Sequence, residues 1–157
     1  MLVEWGEIEH VRTRLLTMPI SNYTTKIHPD TTIGEISRML SRFGAQRIIT
    51  DYRNGEVVSL QFMLVVKEQM IFFQLPANSE GVLKTLIRDK APHQYRNTDQ
   101  ARRVAWRIIR DWVESQIAIV DAGQAQMAEV FLPYAVTKDG KTLFQQIESN
   151  NIKLLAS

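Results

Sequence analysis

Residues 46–75 read QRIITDYRNGEVVSLQFMLVVKEQMIFFQL, and this stretch decides the fold. Runs rich in β-branched and aromatic residues predict three strands, at residues 46–52, 57–66 and 70–75. Asn54-Gly55 is the dipeptide typical of a tight hairpin turn, and the polar residues 67–69 provide the second turn. The stretch therefore predicts a three-stranded antiparallel meander, which Pro76 ends because proline has no amide hydrogen for strand pairing.

Three further elements are predicted before the meander. Apolar residues at helical spacing indicate a helix over residues 4–16, and alternating residues 23–27 indicate a short strand. A helix then follows over residues 31–44, in which Thr32 and Glu35 form a capping box, where each side chain accepts a hydrogen bond from the other residue's backbone amide.

The half of the chain after the meander is predicted to be helical. Asn78 or Ser79 caps a helix that ends near Lys90, and Thr98 caps a long helix that Gly123 ends. A short helix from residue 124 and one or two turns over residues 142–149 complete the predicted elements.

The predicted fold class is α+β. A small antiparallel sheet of three to four strands, in the order β-α-β-β-β, packs against a helical half that contains one long helix. The 157 residues are the usual length of one domain, so we expect a single domain over residues 1–157. Within it, residues 1–22 form an N-terminal extension or helix, residues 23–76 the β-α-β-β-β part and residues 77–157 the helical part.

The composition restricts the function. The chain has no cysteine, which excludes disulfides, thiolate zinc sites and cysteine nucleophiles. No stretch approaches the ~20 apolar residues of a membrane helix, and the first residues lack a signal-peptide pattern. We therefore expect a cytoplasmic protein with no membrane partner.

Recognisable catalytic apparatus is also missing from the sequence. The three histidines lie in separate regions without a second ligand at metal spacing, and no phosphate-binding loop or nucleophile motif is present. We expect no catalytic residues, no metal site, no cofactor and no enzymatic activity.

The charge is unevenly distributed. The net charge is +2, but residues 84–110 contain eight basic and two acidic residues, a local net of +6. Clustered positive charge attracts polyanions such as nucleic acids or nucleotides. The candidate anion-binding residues are Lys84, Arg88, Lys90 and Arg96, assisted by Arg38 and Arg42. Tyr95 lies among them and suits stacking on a base.

An ordinary solvated surface is the competing interpretation of this charge. On the long helix, Arg103, Arg107 and Arg110 each have an acidic residue at i,i+4 spacing, so local ion pairs would neutralise them. Arg102 has no such acid and points to the edge of the apolar stripe, which makes it either an edge residue or an interface anchor.

An aromatic segment offers a second candidate surface. Phe131, Leu132 and Tyr134 are either core residues or part of a protein interface, because aromatic residues are enriched in both. An uncovered edge strand over residues 70–75 and the wide apolar stripe of the long helix would also allow strand addition or a homodimer.

Several blocks resemble a group of small uncharacterised proteins from phages and mobile elements. The blocks are YTTKI at 23–27, the helix over 31–44, VAWRIIRDWVE at 104–114 and EVFLPY at 129–134. The resemblance implies no activity and no site residue, only the context of a phage or mobile-element accessory protein in a bacterial cytoplasm.

Two functions of different classes remain open. One is a non-catalytic accessory protein that binds nucleic acid or a nucleotide-like anion through the basic residues. The other is a protein-interaction module, an inhibitor or adaptor of a host complex that acts through the aromatic segment or as a homodimer.

Overall fold

The computed structural model describes residues 20–155 and has an α+β fold, with a three-stranded antiparallel sheet and five α-helices. The elements in chain order are α1 (Pro29–Arg42), β1 (Arg47–Arg53), β2 (Glu56–Val66), β3 (Gln69–Gln74), α2 (Ser79–Arg88), α3 (Thr98–Asp121), α4 (Met127–Val130) and α5 (Leu143–Glu148). Short 3-10 turns lie at His93–Tyr95 and Leu132–Tyr134. The helix predicted over residues 4–16 lies outside the described residues.

The described chain divides into two compact units. The first unit contains residues 20–28 and 78–108, and the second contains residues 29–77 and 109–155. Helix α3 contributes residues to both units. The single domain expected over residues 1–157 stays a prediction.

The predicted meander is confirmed, with strand order β1-β2-β3 and antiparallel pairing throughout. Asn54 and Gly55 have φ values of 52° and 77°, the positive values that both central residues of a type I′ turn require. A bulge between Asp51 and Tyr52 interrupts the regular pairing of β1 with β2.

The strand predicted over residues 23–27 is wrong, because other hydrogen bonds engage the backbone there. The Tyr23 amide donates to the Ile20 carbonyl in a turn, and the carbonyls of Tyr23 and Thr25 accept hydrogen bonds from the side chain of Gln100. Residues 21–28 therefore form a turn followed by irregular backbone, and the sheet has three strands rather than four.

Two predicted helix starts are displaced. Helix α1 begins at Pro29, a residue well suited to the first helical position, so Thr32 lies inside the first turn and is not the N-cap. Helix α3 begins at Thr98, but the side chain of Asn97 accepts the hydrogen bond from the Gln100 amide, so Asn97 provides the cap predicted for Thr98.

The start of α2, the position of α5 and the end of α3 agree with the sequence analysis, whereas the short helix predicted from residue 124 begins at Met127. Asn78 caps α2 by accepting a hydrogen bond from the Gly81 amide, and Thr142 caps α5 in a capping box with Gln145. Gly123 has a φ of 73° and follows the end of α3.

Aromatic side chains form the core of the second unit. Phe62 stacks on Phe73 with ring centroids 5.1 Å apart, and Phe131 meets Phe62 edge to face at 5.2 Å. Trp112 on α3 in turn packs edge to face against Phe131 at 5.5 Å. The sheet of this unit is thus joined to α3 through buried rings.

The first unit has a smaller core. Leu86 of α2, Ala91 and Ala101 of α3 are buried together, and the side chains packed around them are Ile20, Tyr23, Val82 and Leu83. Among residues 20–155, no helix combines the length and apolarity needed to cross a membrane.

Candidate anion-binding surface

Two of the predicted cations lie on the exposed face of helix α2. Its apolar residues Val82, Leu83 and Leu86 pack into the core of the first unit, which fixes the orientation of the helix. Lys84 and Arg88 lie four residues apart on the opposite face and are exposed.

Lys90 occupies an unusual backbone position immediately after α2. The Ala91 amide donates to the Leu86 carbonyl at 3.0 Å, and the Lys90 amide donates to the Ile87 carbonyl at 3.2 Å, which together form a Schellman motif. Lys90 has a φ of 53°, in the left-handed region that disfavours residues with a Cβ atom.

Three other helices in the described chain end with the same pair of hydrogen bonds. The left-handed residue is Gly44 after α1, Gly123 after α3 and Asn150 after α5. Glycine and asparagine adopt this conformation most readily, so Lys90 is the exception among these four helix ends.

The segment that follows α2 carries the fourth predicted cation. Residues His93–Tyr95 form a 3-10 turn, after which Arg96 is exposed. The ring of Tyr95 is half-buried and lies edge to face with Tyr23, with centroids 5.5 Å apart at 86°.

Three of these four cations have no acidic partner among the described residues. Arg88 is paired with Asp89 at 2.7 Å, and this hydrogen bond lowers the pKa of the Asp89 carboxyl group. Lys84, Lys90 and Arg96 form no ion pair with any described residue. The positive charge of this segment is therefore only partly neutralised, by an acid that directly follows Arg88 in the sequence.

The other arginines of the long helix are engaged locally. Arg102 has no acidic residue at i,i+4 spacing, as expected, but it pairs with Asp99 at i,i+3 spacing, with a distance of 3.0 Å. Asp99 was expected to pair with Arg103, which instead donates to Gln100 at 3.1 Å. These contacts neutralise or orient the α3 arginines rather than leave them available to a ligand.

Arg110 is surrounded by carboxylates of the second unit. It pairs with Glu114 as expected, and also with Asp111 at 3.2 Å and Glu35 at 3.4 Å. Burial disfavours its charged form, but the hydrogen bonds and charges of these carboxylates outweigh that effect and raise the pKa of Arg110. This arginine joins α1 to α3 within the second unit.

The charge asymmetry coincides with the division into units. The described part of the first unit has eight basic and three acidic residues, a net charge of +5. The described part of the second unit has nine basic and eleven acidic residues, a net charge of −2. Arg38 and Arg42 are exposed on α1 and belong to the second unit, whereas the other four candidates belong to the first.

The aromatic candidate surface is largely internal. Phe131 is fully buried, so its assignment to an interface is wrong, whereas Leu132 is 48% exposed. Tyr134 is half-buried, with its ring 5.3 Å from that of Trp112.

The edge of strand β3 is not open along its whole length. The Val136 amide donates to the Phe72 carbonyl at 2.7 Å, and Ala135 bridges to Phe73. A partner strand would have to displace this segment, so the expectation of an uncovered edge over residues 70–75 is wrong at these positions.

Comparison of the chain with protein-family models, curated proteins and solved structures gave no match. Over residues 20–155, no group of three histidine, aspartate or glutamate side chains is arranged to hold a metal ion.

Proposed function

We propose that this protein binds nucleic acid through its phosphate backbone, without catalysis. The basic surface consists of Lys84, Arg88, Lys90 and Arg96 of the first unit. The observation that carries the proposal is that three of these four exposed cations have no acidic partner among the described residues, within a unit whose described part has a net charge of +5. Lysine and arginine bind phosphates by displacing condensed counterions, which requires cations that are not already paired.

The backbone at Lys90 supports the same proposal. A residue in a sparsely populated conformation costs stability, and such residues are concentrated at functional sites. The helix dipole recovers part of this cost, because a cation near a helix C-terminus is stabilised. Glycine or asparagine occupies the equivalent position after α1, α3 and α5, which favours a role for the Lys90 charge beyond the local fold.

Tyr95 favours a single-stranded ligand. In a perpendicular ring pair, Tyr23 covers at most one face of Tyr95. A tyrosine next to Arg96 in the sequence provides a stacking surface for an unpaired base, and such stacking shows little sequence preference. We expect single-stranded oligonucleotides to bind more tightly than duplexes of the same length.

Binding of a fluorescent oligo-dT across a salt series tests the proposal. The triple variant K84A/K90A/R96A should lower the slope of log K against log salt by about 2, since each lost phosphate contact on a single strand contributes ~0.7. The control variant K138A/K141A/K153A removes three exposed lysines of the second unit and should leave the slope unchanged. Equal slopes for the wild type and the first variant would contradict the proposal.

Arg38 and Arg42 remain assisting candidates within the proposal. Both are exposed and lie four residues apart on α1, which is the spacing of Lys84 and Arg88 on α2. The variant R38A/R42A should reduce the salt slope by about 1 if both contact phosphates. An unchanged slope would restrict the surface to the first unit.

The context of the protein is also part of the proposal. A mobile-element accessory role rests on the resemblance of the sequence blocks, and a cytoplasmic location rests on that resemblance together with the composition. The alternative is a protein-interaction module, for which Leu132, Tyr134 and Arg102 remain candidate contacts. Phe131 is no longer a candidate because it is buried. Light scattering after size exclusion tests the homodimeric form of this module, which predicts twice the 18.1 kDa mass of the chain.

A further inference from the structure

A cleft of about 290 Å³ lies in the second unit, and none of the four residues of the basic surface lines it. One wall is the chain after β3, including Pro76, and the other is formed by Tyr134 and by Phe144 and Glu148 of α5. The sequence analysis singled out Tyr134 of this cleft as a candidate interface residue, but not Phe144 or Glu148. The available signal was the i,i+4 spacing of an aromatic and an acidic residue on a short helix.

The helix places an aromatic ring beside a carboxylate. Phe144 and Glu148 are neighbours on one face of α5 because they are four residues apart. Phe144 is 54% exposed although it is a large apolar residue, and it lines the cleft together with Glu148. An exposed ring and a carboxylate thus contact the same space.

Glu148 contributes a carboxylate that is not engaged by other described residues. The side chains of Thr142 and Gln145 also line the cleft, but they are engaged with each other's backbone amides in the capping box, at 3.2 and 2.9 Å. Glu148 has no hydrogen-bond or ion-pair partner among the described residues. A ligand in this cleft therefore meets an unneutralised negative charge.

The ring of Tyr134 packs against another aromatic ring of the second unit. Its ring meets Trp112 at 75° with centroids 5.3 Å apart, and Trp112 packs against the fully buried Phe131. This chain of rings fixes the orientation of Tyr134 before a ligand arrives, which reduces the entropy cost of binding.

We infer that the cleft binds an arginine side chain of a partner protein. The faces of aromatic rings carry negative potential and attract cations, and Glu148 adds a full negative charge in a unit of net charge −2. A guanidinium fits both features, because its plane stacks on a ring while its edge donates two parallel hydrogen bonds to a carboxylate. A lysine ammonium is a compact charge that cannot do both.

Nuclear magnetic resonance titration with Nα-acetyl-arginine amide tests the inference. We expect saturable shifts in the resonances of Phe144, Glu148 and Tyr134, and no saturable shifts with the citrulline amide, which has the same shape without the charge. Shifts that saturate equally with citrulline, or that map to other residues, would overturn the inference. Tighter binding of the lysine amide would overturn the assignment of a guanidinium.

Two variants separate the contributions of charge and ring. E148Q removes the charge and F144L removes the ring face while keeping an apolar side chain, and each should weaken binding about threefold to fivefold. E68Q removes an exposed carboxylate in the β2–β3 turn and should bind like the wild type. Because Glu148 and Phe144 are exposed, thermal unfolding of all three variants should match the wild type, and unchanged affinity in both E148Q and F144L would contradict the inference.

Discussion

The side-chain amide of Gln100 donates a hydrogen bond to the backbone carbonyl of Tyr23 at 2.8 Å, although the two residues are 77 positions apart in the chain. The same nitrogen donates to the Thr25 carbonyl at 2.9 Å. Gln100 is 4% exposed, so it is a buried polar side chain whose hydrogen bonds hold the chain before α1 to the start of α3. This contact replaces the strand pairing that the alternation of residues 23–27 had suggested.

Replacing Gln100 by leucine should lower the free energy of unfolding by about 1–3 kcal/mol, because two carbonyls lose their donor in a partly buried site. Urea unfolding followed by circular dichroism measures the change. The control Q94L alters an exposed glutamine of the adjoining 3-10 turn and should stay within about 0.5 kcal/mol of the wild type. Similar losses in both variants would contradict a specific role of the Gln100 amide.

Lys90→Gly should raise stability and weaken oligonucleotide binding at the same time. Glycine removes the Cβ strain of the left-handed backbone, which should add about 0.5–1 kcal/mol to the free energy of unfolding. Loss of one phosphate contact should weaken binding about threefold to fivefold near 0.1 M salt.

Lys67→Gly is the matched control for this variant. Lys67 is an exposed lysine with a φ of 47°, close to the 53° of Lys90, but it lies in the β2–β3 turn of the second unit. It should gain similar stability without a change in oligonucleotide affinity. Equal binding losses in the two variants would show that affinity follows total charge rather than the basic surface.

Phe131→Ala should destabilise the second unit strongly. Phe131 is fully buried between Phe62 and Trp112, so its truncation leaves a cavity and should cost about 3–5 kcal/mol. Leu132→Ala, at the next position and 48% exposed, should cost less than about 1 kcal/mol. Chemical denaturation of both variants checks the contrast, and comparable losses would contradict the buried position of Phe131.

Asp139 should make the C-terminal region sensitive to acid. Hydrogen bonds from Thr137, from the side chain of Gln146 and from the Lys141 amide lower the pKa of Asp139 from 3.8 to about 2. Because the folded-state pKa is depressed, the stabilisation is complete above pH 3.8 and is lost as the pH falls toward about 2.

Thermal unfolding between pH 5 and pH 2 tests this expectation with the variant Asp139→Asn. Asparagine does not titrate, so the variant should start less stable than the wild type at pH 5 and the difference should shrink as the pH approaches about 2. A difference that is constant across this range would contradict the assignment of the pH dependence to Asp139.

The sequence predicted an element correctly where one local feature determines the backbone conformation. Asn54-Gly55 identified the hairpin because few other residues accept two consecutive positive φ values, and Asn78 identified the start of α2. The false strand over residues 23–27 arose because a five-residue alternation does not reveal that a distant glutamine will engage its carbonyls. The sequence alone does not show which distant side chain will form hydrogen bonds with a given stretch of backbone.

The basic surface was only partly predictable for a related reason. Counting charges located the cluster, and Lys84, Arg88, Lys90 and Arg96 all belong to the first unit, whose described part has a net charge of +5. The ion pairs depended on side-chain directions that the sequence does not give. Arg102 pairs with Asp99 at i,i+3 spacing, whereas Arg103 donates a hydrogen bond to Gln100. The strained backbone of Lys90 could not be inferred, because the usual glycine signal for a helix end is missing there.

The position of β1 at the edge of the sheet has a consequence for how this chain behaves at high concentration. No strand among residues 20–155 pairs with the outer side of β1, which leaves hydrogen-bonding groups exposed there. A second copy aligned antiparallel about Thr50 would bring the exposed Arg47 opposite the exposed Arg53. Charge repulsion between these arginines therefore makes the outer edge of β1 a poor seed for fibrils.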